Sequence, residues 1–305
     1  MQRGIISVAA RAFVRKVGDS LASSSGGNPV TVFIIPSKSS TARLREDLVK
    51  SCAWESVCVV PIEADAPKLF FYMPTGVEVI FCAHATCGAA SVINMKNLND
   101  TKISDKIDFV PAMSGIEGDC IKQTAIIRNE NVVEISMSND FKEGPVNTHL
   151  IGSLLEEIGL DAVKDVASRD EISWPFLNSS VARFKTLIPM KSLDRLHAAS
   201  NPRDPVKFQE LCDEPYSTGV YLYCPVDSGE RNQEFECRQF PRASYPEDPA
   251  TGVAAAALAA SLRSRGLVQD AKELIFQQGT AMGKKSKIDP YQKYLGIQAE
   301  LGGII

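Results

Sequence analysis

The chain has 305 residues, of which 44% are hydrophobic and 23% are charged. This length is ample for two domains with apolar cores, and the composition is that of a soluble globular protein. The formal net charge of −4 argues against a nucleic-acid partner, because phosphate binding needs clustered Lys and Arg. No run of about 18 apolar residues occurs, so we expect no membrane span.

The cysteines and the N-terminal segment bear on localisation. Eight cysteines occur without a C-x-x-C pair, which is typical of reduced, buried thiols in a cytosolic protein. Residues 1–20 contain four cations and no acid before Asp19, a composition similar to that of a transit peptide. However, residues 13–17 are also typical of a first strand. We therefore expect a cytoplasmic protein, with mitochondrial targeting as the alternative.

The predicted elements of the first half are short strands and one apolar helix. Residues 30–35 are β-branched and aromatic and follow a Gly-Gly-Asn-Pro turn signal. Residues 84–95 are rich in Ala and nearly free of charge, which predicts a buried helix. The other predicted elements are a helix at 40–50 and strands at 57–61, 68–73, 77–81, 106–112, 123–128 and 132–137.

The second half repeats this organisation after a polar, Gly- and Pro-containing linker at 138–148. A helix is predicted at 150–158 and a second small-residue helix from Asp248 to about Gly266, with strands at 182–189, 219–223, 233–240, 274–278 and 287–288. We expect each small-residue helix to be wrapped by a curled sheet. The predicted domains are residues 1–142 and 143–305, and the side to which the last residues return stays open.

Residues 247–254, Glu-Asp-Pro-Ala-Thr-Gly-Val-Ala, are the most informative segment. They place a carboxylate and unpaired backbone N–H groups at the start of a buried helix, which can hold an anion. Residues 84–90, His-Ala-Thr-Cys-Gly-Ala-Ala, repeat the pattern with one inserted residue. Two such copies, each opening a helix behind a titratable residue, suggest a pseudo-symmetric enzyme with its site between the halves.

Three further residues are candidates for proton transfer. Glu55 follows Trp54 between a predicted helix and a predicted strand, where an apolar setting would raise its pKa; a Glu at a helix end is also commonly just exposed. His84 precedes the first buried helix, as a hydrogen-bonded structural residue or as a functional one. Asp248 suits an N-cap and a catalytic role, and the two are compatible.

Cys87 raises the alternative of thiol chemistry, because a thiol at a helix N-terminus can have a lowered pKa. A two-thiol racemase would need a second Cys in the downstream copy, which instead has Thr251, Gly252 and Val253. Only three widely separated His residues occur, which argues against a zinc site.

Several motifs occur in the order found in one known family. These are Gly-Asn-Pro-Val-Thr-Val-Phe at 27–33, Trp-Glu-Ser at 54–56, Ala-His-Ala-Thr-Cys-Gly at 83–88, Arg-Gln-Phe at 238–240, Glu-Asp-Pro-Ala-Thr-Gly at 247–252, and the glycine turn at 278–283. Together they resemble the phenazine-biosynthesis PhzF-like family, which shares the diaminopimelate epimerase fold. The E-D-P-A-T-G element is the specific part, and the resemblance extends over about residues 13–290.

The resemblance implies an α+β protein of two pseudo-symmetric halves, each a mixed sheet or barrel around a central helix, with the active site in the cleft between them. It also implies a homodimer and an isomerase that needs no metal or organic cofactor. By position, Glu55 would transfer the proton, and His84 and Asp248 would bind and protonate the substrate. The substrate-binding positions would be Ala83, Thr86, Cys87, Gly88, Thr251, Gly252 and Val253, with the amides around Gly88, Gly252 and Val253 receiving a carboxylate.

Three departures from the family pattern border the expected pocket: Ala83 for Gly, Ala85 for Pro and Val253 for Ser. They leave the substrate open. The sequence therefore predicts a cofactor-independent isomerase acting on a small carboxylate. The alternatives are an epimerase or racemase using Cys87 with a carboxylate as second base, and a binding protein that retains the fold without catalysis.

Overall fold

A computed structural model describes residues 5–13, 26–62, 65–96, 106–113, 123–129, 132–135, 141–167, 174–226, 233–242, 246–269, 274–288 and 297–304. The chain forms two compact units. The first unit consists of residues 1–137 and 293–305, and the second consists of residues 138–292. Each unit contains a mixed β-sheet and a central helix of small apolar residues, so the protein belongs to the α+β class.

The sheet of the first unit has the strand order β16-β1-β2-β3-β4-β6-β7-β8, with β5 paired to β4. Its elements are β1 (Ile6–Ala12), β2 (Asn28–Ile34), α1 (Ala42–Val49), β3 (Ser56–Ile62), β4 (Asp65–Tyr72), β5 (Glu78–Val79), α2 (Ala83–Lys96), β6 (Lys106–Ala112), β7 (Gln123–Asn129), β8 (Val132–Ile135) and β16 (Ile297–Ile304). The last strand, β16, pairs antiparallel with β1 and so returns the end of the chain to the first unit.

The helix α2 is the centre of the first unit. It contacts strands from both ends of the sheet order, β16 and β1 at one end and β7 and β8 at the other, so the sheet curls around it. Small side chains such as Ala85 and Ala89 are fully buried, which allows this close enclosure. Outside the sheet, α1 is capped by Thr41, whose Oγ1 accepts a hydrogen bond from the N–H of Leu44 (3.2 Å).

The sheet of the second unit has the strand order β15-β14-β13-β12-β11-β10-β9. Its elements are β9 (Lys142–Gly144), α3 (Thr148–Glu157), β10 (Leu177–Ser180), β11 (Lys185–Pro189), α4 (Leu193–Ala198), α5 (Pro205–Asp213), β12 (Gly219–Val226), β13 (Gln233–Pro241), α6 (Gly252–Ser264), β14 (Leu274–Gln278) and β15 (Ser286–Ile288). One sheet face packs against α3, α4 and α5 through an apolar core, and α6 contacts β10 and β11.

The two sheets share one pairing pattern. In the first unit, the pairs β1–β2, β2–β3, β3–β4, β4–β6 and β6–β7 are antiparallel, parallel, antiparallel, parallel and antiparallel. The pairs β10–β11, β11–β12, β12–β13, β13–β14 and β14–β15 follow the same sequence. In each unit the central helix follows the fourth of these strands. The predicted fold of two similar halves around central helices is therefore confirmed.

When the two central helices are compared from their first residues, the matched positions differ from those that the sequence repeat predicted. The first helical bond runs from Thr86 N–H to the carbonyl of Cys82 in α2, and from Ala255 N–H to the carbonyl of Thr251 in α6. His84 is thus inside the first turn of α2, whereas Asp248 lies three residues before Thr251. The predicted correspondence of His84 with Asp248 is wrong, because the inserted residue and the earlier start of α2 shift the two motifs along their helices.

Other differences concern elements with weak or overlooked signals. The first described strand is β1, which ends before Phe13, and the remainder of the strand predicted at 13–17 lies outside the described residues, as does part of the predicted linker. The elements α4, α5, β9 and β10 were not predicted, and β16 is the last strand whose return the sequence left open. For α5 a signal existed, since Asp204 caps Val206 N–H (3.0 Å) ahead of Pro205. Within the described residues, no helix is long and apolar enough to cross a membrane.

Candidate active site

Glu55 and His84 lie together in the first unit. Glu55 immediately precedes β3, and its carbonyl accepts a hydrogen bond from Thr31 N–H in the parallel neighbour β2 (3.1 Å). His84 is the second residue of α2. The distance from His84 Nε2 to Glu55 Oε2 is 3.9 Å, and the side chains are 8% and 20% exposed. The fold therefore brings two of the three predicted proton-transfer residues into one cluster.

Cys82 completes this cluster and was not predicted as a site residue. Its Sγ lies 3.3 Å from His84 Nδ1, and the residue is buried. The imidazole thus has a thiol at one ring nitrogen and the Glu55 carboxylate near the other. The position of Cys82 just before the start of α2 could have indicated a site residue in the sequence, because a thiol there interacts with the helix N-terminus.

Cys87 does not fit the expected thiol chemistry. It is the fifth residue of α2 and 0% exposed. Burial raises the pKa of the Cys87 thiol far above its ordinary value, with a smaller contribution from Cys82. The expectation of a lowered pKa at the helix N-terminus is therefore wrong, because the thiol lies beyond the first turn and inside the core.

Three neighbouring substrate-binding candidates also have clear structural roles. Thr86 is buried, and its hydroxyl donates to the carbonyl of Cys82 (3.0 Å). Gly88 is the sixth helical residue, so its N–H lies within the hydrogen-bond ladder and not among the unpaired N–H groups of the first turn. Ala83, at the first helical position, belongs to that first turn. The Gly88 amide, predicted to receive a carboxylate, is therefore not among the N–H groups of α2 that lack an intrahelical acceptor.

Asp248 shapes the turn that leads into α6. Its Oδ1 accepts a hydrogen bond from Ala250 N–H (3.1 Å), and its Oδ2 accepts one from the Thr251 hydroxyl (2.5 Å). Thr251 occupies the N-cap position of α6 without a side-chain cap bond. Gly252 and Val253 are the first two helical residues, whose N–H groups have no intrahelical acceptor. The second unit therefore offers a carboxylate beside backbone donors.

Gln278, at the end of β14, holds this turn in place. Its Nε2 donates to the carbonyl of Asp248 (2.7 Å) and to Thr251 Oγ1 (3.1 Å). Its Oε1 accepts from Thr251 N–H (3.2 Å) and from the Tyr221 hydroxyl (3.4 Å). Because Gln278 is fully buried, these bonds fix the backbone around Asp248.

Arg238 and Glu247 form a buried ion pair next to the same turn. Arg238 Nε and Nη2 donate to the two carboxylate oxygens of Glu247, at 2.9 and 2.7 Å. Arg238 Nη1 also donates to three backbone carbonyls at the end of α4, including that of Ala199 (2.6 Å). The pair therefore connects α4 to the segment that carries Asp248, which gives Glu247 a structural role and leaves Asp248 as the candidate site residue.

No group of three or more His, Cys, Asp or Glu residues is arranged to hold a metal ion in the part of the chain that the structure describes.

These features define a two-unit α+β protein with an epimerase-like fold. The family model described as phenazine biosynthesis-like protein (PhzC-PhzF) matches residues 21–294, and the chain belongs to this family. No curated protein matches the chain by sequence.

Three solved structures show the likeness of fold. A PhzF-family phenazine biosynthesis protein from Bacillus anthracis has 20% identity and a TM-score of 0.68, with 98% of this chain and 97% of the other covered. A predicted epimerase from Pseudomonas aeruginosa has 18% identity and a TM-score of 0.70, with 99% and 98% covered. A hydroxyproline epimerase from Agrobacterium vitis, with bound trans-4-hydroxy-L-proline, has 12% identity and a TM-score of 0.52, with 99% and 92% covered.

Proposed function

We propose that this protein is a cofactor-independent isomerase that moves a proton between carbons of a small carboxylate. The observation that carries the proposal is the Glu55–His84 pair, with 3.9 Å between Oε2 and Nε2, where His84 lies in the first turn of the enclosed helix α2. Membership of the phenazine biosynthesis-like family supports an isomerase. The amino acid bound by the hydroxyproline epimerase supports a small carboxylate as substrate.

In the proposed reaction Glu55 takes a proton from a carbon beside an activating group and returns a proton to another carbon. After the proton is removed, the negative charge left on the substrate needs a polar group close by to stabilise it. His84 supplies it, held between Cys82 Sγ and the Glu55 carboxylate. Asp248 and the first amides of α6 contribute a polar group and donors for the substrate carboxylate.

The alternative of an epimerase that uses Cys87 has less support. A thiol acts as a base or nucleophile through its thiolate, and burial raises the pKa of Cys87 and so opposes that form. Proton transfer by a carboxylate, with the imidazole as its partner, is the chemistry that the described side chains favour.

Deuterium exchange tests the proposal. The protein is incubated in D2O with a panel of small unsaturated and amino carboxylates, including dihydro-hydroxyanthranilate and trans-4-hydroxy-L-proline, and carbon-bound deuterium is measured by mass spectrometry. We expect incorporation by the wild type and by Glu46→Gln, a matched change on the exposed surface of α1, and none by Glu55→Gln.

Full exchange by Glu55→Gln on a substrate that the wild type turns over would contradict the assigned role of Glu55. Absence of exchange over the whole panel would favour the other alternative from the sequence, a binding protein that retains the fold without catalysis. The homodimer implied by the family resemblance is part of the proposal, and sedimentation equilibrium would test it.

A further inference from the structure

The strand directions in the second unit bring four strand ends to the start of α6. Because β11 and β12 are parallel, β12 and β13 antiparallel, and β13 and β14 parallel, the first residues of β11 and β12 share a sheet edge with the last residues of β13 and β14. Gln278 at this edge bonds to Thr251 at the start of α6, and Gln239 bridges to Asp248. Polar side chains at these four ends therefore lie beside the candidate site residue Asp248.

Lys185, the first residue of β11, is a buried cation at this edge. It is 5% exposed and lies opposite Ser179, whose hydroxyl donates to the carbonyl of Ala257 in α6 (3.2 Å). Directly opposed residues share a sheet face, so Lys185 faces α6. Its Nζ donates to the carbonyl of Thr218 (3.1 Å) and forms no ion pair with any described carboxylate. Burial, and then the neighbouring Arg183, lowers the pKa of Lys185 to about 7.

Gln239, near the end of β13, is 0% exposed, and neither its Oε1 nor its Nε2 makes a hydrogen bond with the described residues. A Cβ on Gly219 would lie 2.5 Å from Gln239 Nε2. Since Gly219 follows Thr218, the amide and the Lys185 ammonium flank the same stretch of backbone. The buried Nε of Arg183 is likewise without a partner among the residues described. Buried polar atoms are nearly always bonded, so this cluster calls for an occupant.

The first unit shows that the fold does not need a cation here. In the shared pairing pattern, Val30 pairs with Ala10 as Lys185 pairs with Ser179. Cys82 and Thr251 occupy equivalent positions, since each accepts the first helical bond of its helix. Val30 packs against Gly88, six residues after Cys82, and Ser179 bonds to Ala257, six residues after Thr251. The apolar Val30 thus occupies in the first unit the position that Lys185 occupies in the second, so packing around the central helix does not require a lysine there.

We propose that Lys185, Gln239 and Arg183 form a subsite beside Asp248 that binds the carboxylate group of a small ligand. Below pH 7, where Lys185 is mainly protonated, two cations and one nearby carboxylate, Asp248, leave one positive charge for an anionic group to balance. The ammonium, the guanidinium Nε and the amide nitrogen all donate hydrogen bonds, as a carboxylate requires. The inference rests on the proposed function for its ligand class, a small carboxylate, and adds residues that recognise it.

Malonate is the probe. Its binding is measured by isothermal titration calorimetry for the wild type, Lys185→Met, Gln239→Leu and the control Lys191→Met, which removes an exposed lysine two residues beyond β11. We expect saturable binding that is weakened about tenfold or more in the first two variants and unchanged in the control. Unchanged affinity in Lys185→Met and Gln239→Leu would overturn the subsite. So would a wild type that binds no malonate, or one that binds inorganic phosphate and not malonate.

Folding of the variants is checked by thermal melting. Lys185→Met should melt at or above the wild-type temperature, because an apolar side chain of similar length replaces a buried charge. A clear drop in melting temperature would instead indicate that the lysine has a structural role. A wild type that binds malonate and exchanges no protons would reject the proposed isomerase and leave the subsite standing.

Discussion

Gly88 sets the distance between α2 and its sheet, and replacing it should be costly in a predictable way. A Cβ at Gly88 would lie 2.7 Å from Val30 Cγ1 and 3.6 Å from the Cβ of Ala10. Carbon atoms pack optimally at about 3.5–4.0 Å, so Gly88→Ala forces a shift of nearly 1 Å in a closed core. Such overpacking costs about 1–3 kcal/mol, and the better helix propensity of Ala returns about 1 kcal/mol. We expect a net destabilisation of up to about 2 kcal/mol.

Gly152 in α3 is the matched control, because it is helical and a Cβ there would meet nothing within 4 Å. Gly152→Ala should stabilise the protein by about 0.5–1 kcal/mol through helix propensity alone. Urea unfolding followed by circular dichroism would place the two variants on opposite sides of the wild type. Adding Val30→Ala should relieve part of the cost of Gly88→Ala. Stabilisation by Gly88→Ala, or strict additivity with Val30→Ala, would refute the close-packing argument.

Three other predictions concern buried polar groups. Glu247→Ala leaves the Arg238 guanidinium buried without its carboxylate, and urea unfolding should show a loss of about 3–5 kcal/mol; a loss below 1 kcal/mol would contradict the pair's structural role. Cys82→Ala removes the sulfur 3.3 Å from His84 Nδ1 and should shift the ring 15N resonances of that histidine alone among the three. The pKa of Lys185 is lowered to about 7 from 10.5, so between these values the unfolded chain binds more protons and stability should rise with pH. Urea midpoints at both ends of this range should show that rise in the wild type and its loss in Lys185→Met.

Local patterns predicted the elements that depend on composition. The Ala-rich runs predicted α2 and α6 to within a few residues, since helices of small apolar residues are buried on all sides. Gly266, predicted to end α6, has a positive φ of 64°. The short elements α4, β9 and β10 gave weaker signals, because three to six residues hold too little periodicity to separate strand, helix and loop.

The sequence by itself determined the family, the two-part α+β fold and the residue types available for chemistry, because motifs and hydrophobic periods are local properties of the chain. The tertiary structure decided what those residues contact. It returned β16 to the first unit, placed Cys82 against His84, and buried Cys87 out of reach. It also left the amide of Gln239 without a partner among the described residues, beside Asp248. Such contacts join positions far apart in the chain, and only the register of strands and the start of each helix fix them.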